Sequence, residues 1–410
     1  MESRSPTAAA REAPGPTRAG VVLPVTLTLA VQVLASMNTV AVAVMMPVAS
    51  VDIGVPPSYV GIFVSLIYLG ATLFAPVSGH AITRFGPIAV SQICLGLCAA
   101  GLAAYSMPAV AMAVLGSLAL GVGLGPVTPA SSHILVRTTP ATMLSMVFSI
   151  KQTGVPLGGA LAGAIVPLLV VACGWRTAAL LAGASSLVLV ALLHPFRGRY
   201  DRERSRPPRL TWQSALAPMK MVMAHPELRR IAMASFVYSI MQLSLTSYLV
   251  TYLIQSLRLS LIDAGLLLAA AQVSGVAGRI LWGALTDRYG NPRRVLGLLG
   301  FGMTAGALLA AGFSPGWPFA AILGVCGVFG AAALGWNGVF LAEVARIATP
   351  AQAGVATGGS LFFTFLGILL GLPAFAGIVE LTGSYAAAFV CVAAITFACA
   401  AALCFTRAPR

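Results

Sequence analysis

Charge is scarce in this chain, and negative charge scarcest of all. Only 8% of the 410 residues are charged, and 10 acidic residues stand against 24 basic ones. Lysine is nearly missing: Lys151 and Lys220 are the two, and the other 22 basic residues are Arg. No nucleophile–base pair, metal-ligand cluster or phosphate-binding loop is visible, so the chain does not read as an enzyme and calls for no cofactor and no metal. The seven cysteines (Cys94, Cys98, Cys173, Cys326, Cys391, Cys399 and Cys404) fall within or beside apolar stretches. Their spacing fits neither a zinc site nor a disulfide framework, and they read as small packing residues. His80, His133, His194 and His225 lie at helix ends or in a loop, again without ligand spacing.

What fills the chain instead is apolar sequence. It is 59% hydrophobic, with a mean hydropathy of +0.94. Runs of 18 or more apolar residues recur, each long enough to cross a hydrocarbon core of about 30 Å. The runs are continuous, without the period of two that a transmembrane barrel needs. The fold class is therefore an all-α membrane protein embedded in a lipid bilayer.

The net charge of +14 is a statement about topology. Twenty of the 24 Lys and Arg fall in the N-terminal tail, a central segment and the loops on their side; Arg176 and Arg258 fall on the other side, with Lys151 and Arg279 inside spans. By the positive-inside rule both termini and the central loop are cytoplasmic, and the chain sits in the cell inner (cytoplasmic) membrane. No nucleic-acid partner is implied, and a monomer is expected.

Read in order, residues 1–18 form a disordered cytoplasmic tail rich in Ser, Pro, Ala and Arg. Six spans follow within 19–194, at roughly 20–49, 57–81, 88–106, 109–136, 142–171 and 175–194. Residues 195–228 make the only long polar connection, a basic cytoplasmic loop with an interfacial helix expected over Thr211–Met223. Six more spans lie within 229–406, at about 229–256, 262–286, 294–312, 317–346, 353–380 and 384–406, before a short tail at 407–410. Small-residue faces at Gly154/Gly158, Gly159/Gly163 and Gly367/Gly371 favour close helix contact.

The halves are related. Gly79 and Gly283, Arg84 and Arg288, and Gly86 and Gly290 are each 204 residues apart. The fuller copy, Gly283-x-x-x-Asp287-Arg288-x-Gly290-x-x-Arg293, resembles the signature loop of the major facilitator superfamily. That resemblance covers the whole chain and implies about twelve transmembrane helices in two pseudo-symmetric six-helix halves, with a binding site between them near the midplane. The first copy departs from the pattern, with Thr83 where the family usually has Asp. In the fifth span Gly154-Val-Pro156-Leu-Gly158-Gly159 is similar to the family's antiporter motif with its proline shifted by one.

The rare intramembrane charges point to the cargo. Arg279 lies eight residues before Asp287, about 12 Å along a helix, and Lys151 about 15 Å into the fifth span. A charge at such depth costs about 2.5–3.5 kcal/mol on insertion scales, and no acid lies at comparable depth to offset it. In the resembled fold these two helices face each other across the halves, which makes an anion site. Arg279 also stands four residues before Gly283, where monocarboxylate and oxalate carriers of the superfamily hold a substrate-binding Arg. The Asp those proton symporters place four residues earlier is Gly275 here. Arg279 could instead brace backbone carbonyls or a loop, and the Lys151 amine could sit neutral in an apolar contact or reach carbonyls. Asn38 and Gln242, again 204 residues apart, with Tyr238, Trp336 and Asn337, complete the expected substrate-binding set. Gly283, Asp287, Arg288, Gly290, Arg293, Arg84 and Glu343 form the expected gating set. Asp287 would sit over the start of the fifth span, and Glu343 would pair with Arg288 or Arg293.

The reading is thus a secondary active transporter, a symporter or exchanger, moving a small organic anion, a mono- or dicarboxylate, by alternating access. Protons are the coupling ion considered, with Glu343 as the remaining candidate carrier. The competing readings are a drug or metabolite efflux transporter of the same fold and a nitrate/cyanate-type inorganic anion carrier.

Overall fold

The computed structural model describes residues 18–140, 143–202, 212–289, 291–348 and 353–405. Most of the N-terminal tail, the middle of the central loop and the residues after Phe405 lie outside these. Twelve candidate spans, by length and composition, are present among the described residues, which contain no strand.

The first half comprises α1 (Val22–Ile53), α2 (Val60–Phe85) and α3 (Pro87–Tyr105). A fourth span follows in two pieces, α4 (Val110–Leu124) and α5 (Val127–Thr138), and a fifth in two more, α6 (Leu144–Gln152) and α7 (Gly154–Cys173). The sixth is α8 (Trp175–Leu193), trailed by the short α9 (Arg197–Tyr200). The expected helix in the central connection is present as α10 (Trp212–Ala224), which rests on the eleventh span: a Cβ on Gly359 would lie 2.3 Å from the Pro218 carbonyl. The second half comprises α11 (Pro226–Leu257), α12 (Leu261–Tyr289) and α13 (Pro292–Ala311). The tenth span is again in two pieces, α14 (Phe319–Ala333) and α15 (Trp336–Ile347), followed by α16 (Ala353–Thr382) and α17 (Tyr385–Phe405).

Helices are the outcome because each satisfies its own backbone groups, which an apolar solvent cannot do. Where a helix is interrupted, a residue explains it. Pro126 separates α4 from α5, and Gly335 lies between α14 and α15. Such breaks are tolerable in a membrane where the freed groups are buried in protein or line a cavity.

The two halves pack by the same plan. In the first, α1 packs on α7, α2 on α4, and α3 on both α4 and α8; in the second, α11 packs on α16, α12 on α14, and α13 on both α14 and α17. The duplication holds at the level of single contacts. A Cβ on Gly121 would lie 1.9 Å from the Ile67 carbonyl, and one on Gly330 would lie 2.1 Å from that of Ala271. Ile67 and Ala271 are themselves 204 residues apart.

The halves meet along α1–α11, α2–α16 and α7–α12. The last two seams are symmetry partners, and both are tight at the end remote from the central connection. There a Cβ on Gly61 would lie 2.9 Å from the Leu372 carbonyl of α16, and one on Gly163 would lie 2.6 Å from the Gly265 carbonyl. Ser58 also donates across the seam to Glu380. The expected small-residue faces are used: Gly158 lies against the backbone of α1 at Val33, Gly159 against Gln272, and Gly367 against α11 at Phe236.

Candidate functional site

The three interrupted spans converge. Lys151, at the end of α6 and 1% exposed, donates to Gln32 Oε1 at 2.8 Å, to Thr128 Oγ1 at 3.0 Å and to Gln152 Oε1 at 3.4 Å. Gln32 is on α1, and Thr128 follows the Pro126 break. From the other half, Arg279 on α12 donates through Nε to the Leu334 carbonyl at 2.9 Å and through Nη1 to the Gln152 carbonyl at 2.7 Å. Leu334 lies at the break between α14 and α15.

The two rare cations are thus brought to one residue, Gln152, which offers its backbone to one and its side chain to the other. Neither is paired with an acid. The ion pairs among the described residues are Arg176–Asp52 at 3.0 Å, Arg197–Asp201 at 3.5 Å and Arg346–Glu343 at 2.6 Å. Guanidinium carries five donors; two are used here, and Nη2 has no acceptor among the described residues. The centre holds two cations whose partners are all neutral oxygens.

Beside it lies a second polar group. Gln242 Oε1 accepts from Trp336 Nε1 at 2.8 Å and Asn337 Nδ2 at 3.0 Å. Trp336 stands two residues after Leu334, so the Arg279 and Gln242 clusters share the start of α15. Gln272, seven residues before Arg279 on α12, donates to Thr246 Oγ1 at 3.4 Å and packs on Gly159 of the other half.

Two expected members face elsewhere. The Tyr238 hydroxyl donates to the Leu296 carbonyl of α13 at 2.8 Å, and its ring stands edge-on to Trp336 at 5.9 Å. It supports Trp336 from behind. Asn38 Nδ2 donates to Ser186 Oγ at 2.6 Å, within the first half, and its Oδ1 is buried without a partner. Sequence reasoning left Thr128, Gln152 and Gln272 out of the site. The signals were a threonine just after a Gly-Pro break, a glutamine next to the buried lysine, and a glutamine two turns before the buried arginine.

The expected gate is partly in view. Asp287 lies in the last turn of α12, but its side chain and Gly290 lie outside the described residues, as does the expected contact with the start of the fifth span. Arg84 and Arg288 are exposed, with the Arg84 guanidinium 5.3 Å over the Phe85 ring. A Cβ on Gly283 would meet nothing within 4 Å. Glu343 does not pair with Arg288 or Arg293. It is fully buried and takes Arg346 bidentately, at 2.6 and 2.8 Å, because the i,i+3 spacing on α15 puts that guanidinium nearer. Arg293 Nη2 is buried without a partner.

The loop after α2 has a feature not anticipated. Asp201, 2% exposed, accepts from the Ile88 and Ala89 N–H groups at 2.8 and 3.1 Å, capping α3 from the far end of the half. In the second half Asn291 caps α13 locally, accepting from Arg294 N at 3.2 Å.

This architecture, two like halves of six spans around a polar centre, defines a membrane transporter. The model of the Major Facilitator Superfamily matches residues 28–358, and the chain belongs to that family. The chain is 23% identical over 254 residues to the hexuronate transporter of Bacillus subtilis (strain 168), a match covering 60% of each chain. It is 26% identical over 297 residues to the 4-hydroxybenzoate transporter PcaK of Pseudomonas aeruginosa, covering 65% of this chain and 66% of that one. The chain therefore spans about two thirds or less of the length of these relatives. Among solved structures, a bacterial homologue of the human lysosomal transporter Spinster in an inward-facing, unoccupied conformation superposes with a TM-score of 0.74 at 15% identity, covering 94% of this chain and 96% of that one. That likeness is one of fold.

Proposed function

We propose that this chain is a secondary active transporter of a small organic anion, a mono- or dicarboxylate, working by alternating access across the cytoplasmic membrane with both termini on the cytoplasmic side. The observation that carries the reading is the pairing of Lys151 and Arg279 with neutral oxygens alone, one cation from each half. A guanidinium suits a carboxylate because its planar fork donates in parallel and stays charged. Gln242, Trp336 and Asn337 would complete the site beside Arg279, and Asp287 with the basic residues around it would serve as the gate. Two relatives whose names specify carboxylic acids, hexuronate and 4-hydroxybenzoate, support the chemical class. The closed seams at Gly61 and Gly163 fit a carrier open toward its central connection, as alternating access requires of one of its states. Proton coupling and anion exchange both fit this centre.

The test is ligand-induced thermal stabilisation and proteoliposome uptake across a panel of mono- and dicarboxylates, with nitrate and cyanate as inorganic comparators. A carboxylate should stabilise the protein and be taken up, and Arg279→Gln should abolish both while the variant still folds. Uptake by Arg279→Gln at the wild-type rate would remove Arg279 from the site.

A further inference from the structure

The interruption of the fifth span has a cause with a consequence for binding. α6 ends at Gln152, Thr153 is a turn, and α7 starts at Gly154. In an unbroken helix the Gln152 carbonyl would accept from the N–H of residue 156. Residue 156 is proline, buried, with no N–H to give. Lacking an intrahelical donor, that carbonyl takes Arg279 Nη1 at 2.7 Å, from the other half of the molecule. A proline shifted by one within a glycine-rich motif thus creates an acceptor for the one arginine of the centre.

We propose that Pro156 is a positioning residue for anion binding: it exposes the Gln152 carbonyl as an internal stand-in for the substrate, and the Arg279–Gln152 bond is the tie between halves that an arriving anion displaces. The inference rests on the reading of Arg279 as an anion ligand. Without the stand-in, the empty carrier would hold a half-buried guanidinium short of an acceptor, which is costly. With it, the donor is satisfied by a neutral oxygen, and an ionised carboxylate is a stronger partner for the same N–H. Exchange of one for the other runs downhill and removes a polar tie between α6 and α12 at the same moment. Binding is then linked to loosening of the halves, because the anion favours the state in which that bond is open.

The test is Pro156→Ala, with Pro156→Ser as a second variant. Each restores an N–H at position 156, which closes the helix across Gln152 and draws its carbonyl off Arg279. The expected result is a protected amide at position 156 by hydrogen exchange, together with about tenfold tighter binding of the carboxylate that stabilises the wild type, the weight of one charge-assisted hydrogen bond. A protected amide with unchanged or weaker binding overturns the proposal. Absence of anion binding in the wild type would instead overturn the reading of Arg279, so the two failures are distinct. A measurement without substitution serves if the variants do not fold. Gln152-Thr153 is the only Gln-Thr step in the sequence, so 13C-carbonyl glutamine with 15N-threonine singles out this carbonyl by NMR. Its shift should move when the anion binds to the wild type, and a fixed shift under saturating anion refutes the exchange.

Discussion

Gly163 and Gly265 face each other across the two halves so closely that neither has room for a side chain. A Cβ on Gly265 would lie 2.4 Å from the Gly163 carbonyl and 2.4 Å from Pro167 Cγ; one on Gly163 would lie 2.6 Å from the Gly265 carbonyl. Close backbone approach of this kind is how membrane helices associate without a hydrophobic drive between them. Here it lies on α7 and α12, the seam that the proposed alternating-access cycle would open.

Gly265→Ala should therefore prop that seam apart. Overpacking of a tight contact costs about 1–3 kcal/mol, enough to shift a balanced pair of states by about fivefold to a hundredfold. The expected outcome is faster hydrogen exchange over residues 57–61 and 261–269, with uptake reduced about tenfold and carboxylate binding retained. Wild-type exchange in those segments would show that the seam relaxes around the methyl group.

The Asp201 cap offers a separate test, at the end of the molecule bearing the central connection. Gly86 sits at φ +92° with no space for a Cβ, which would lie 2.4 Å from Asp201 Cγ. Loss of a capping side chain costs about 0.5–2 kcal/mol. Asp201→Ala should lower the thermal unfolding temperature in detergent, Asp201→Asn should do so less because one acceptor oxygen remains, and Asn291→Ala should give a drop of similar size in the other half. No change in Asp201→Ala would mean water replaces the carboxyl group at the α3 N-terminus.

The spans and the duplication could be read from the sequence because both are written in it directly, as apolar length and as a 204-residue register. Lys151 and Arg279 were legible for a related reason, since a buried charge is rare enough to stand out in apolar sequence. The rotation of each helix was not. A helix apolar on every side carries no stripe to say which face meets lipid and which meets protein, so Tyr238 and Gln242 share a face by spacing yet serve different neighbours. Loop proximity in the sequence suggests a distant partner for Glu343, whereas the local i,i+3 geometry gives it Arg346. The role of the Gln152 carbonyl was hidden for another reason. Backbone acceptors leave no trace in a sequence except through a proline four residues on.

Lys151 yields the sharpest separation of function from stability. A buried ammonium with neutral partners is expensive to keep, and a well-packed apolar residue of similar volume is often neutral or stabilising in its place. Its removal need not strand Gln32, whose Oε1 also accepts from Thr128 Oγ1 at 3.3 Å and whose Nε2 donates to Ser36 Oγ at 3.2 Å. Lys151→Met should thus leave the substrate-free protein at least as heat-stable as the wild type while carboxylate affinity falls at least tenfold, the cost of about one charge-assisted contact. Sites that hold strain for function behave in this way, gaining stability as they lose activity. A Lys151→Met protein that is strongly destabilised and still binds its anion normally would make the lysine a brace between α1, α5 and α6, and would leave Arg279 as the one cation serving the cargo.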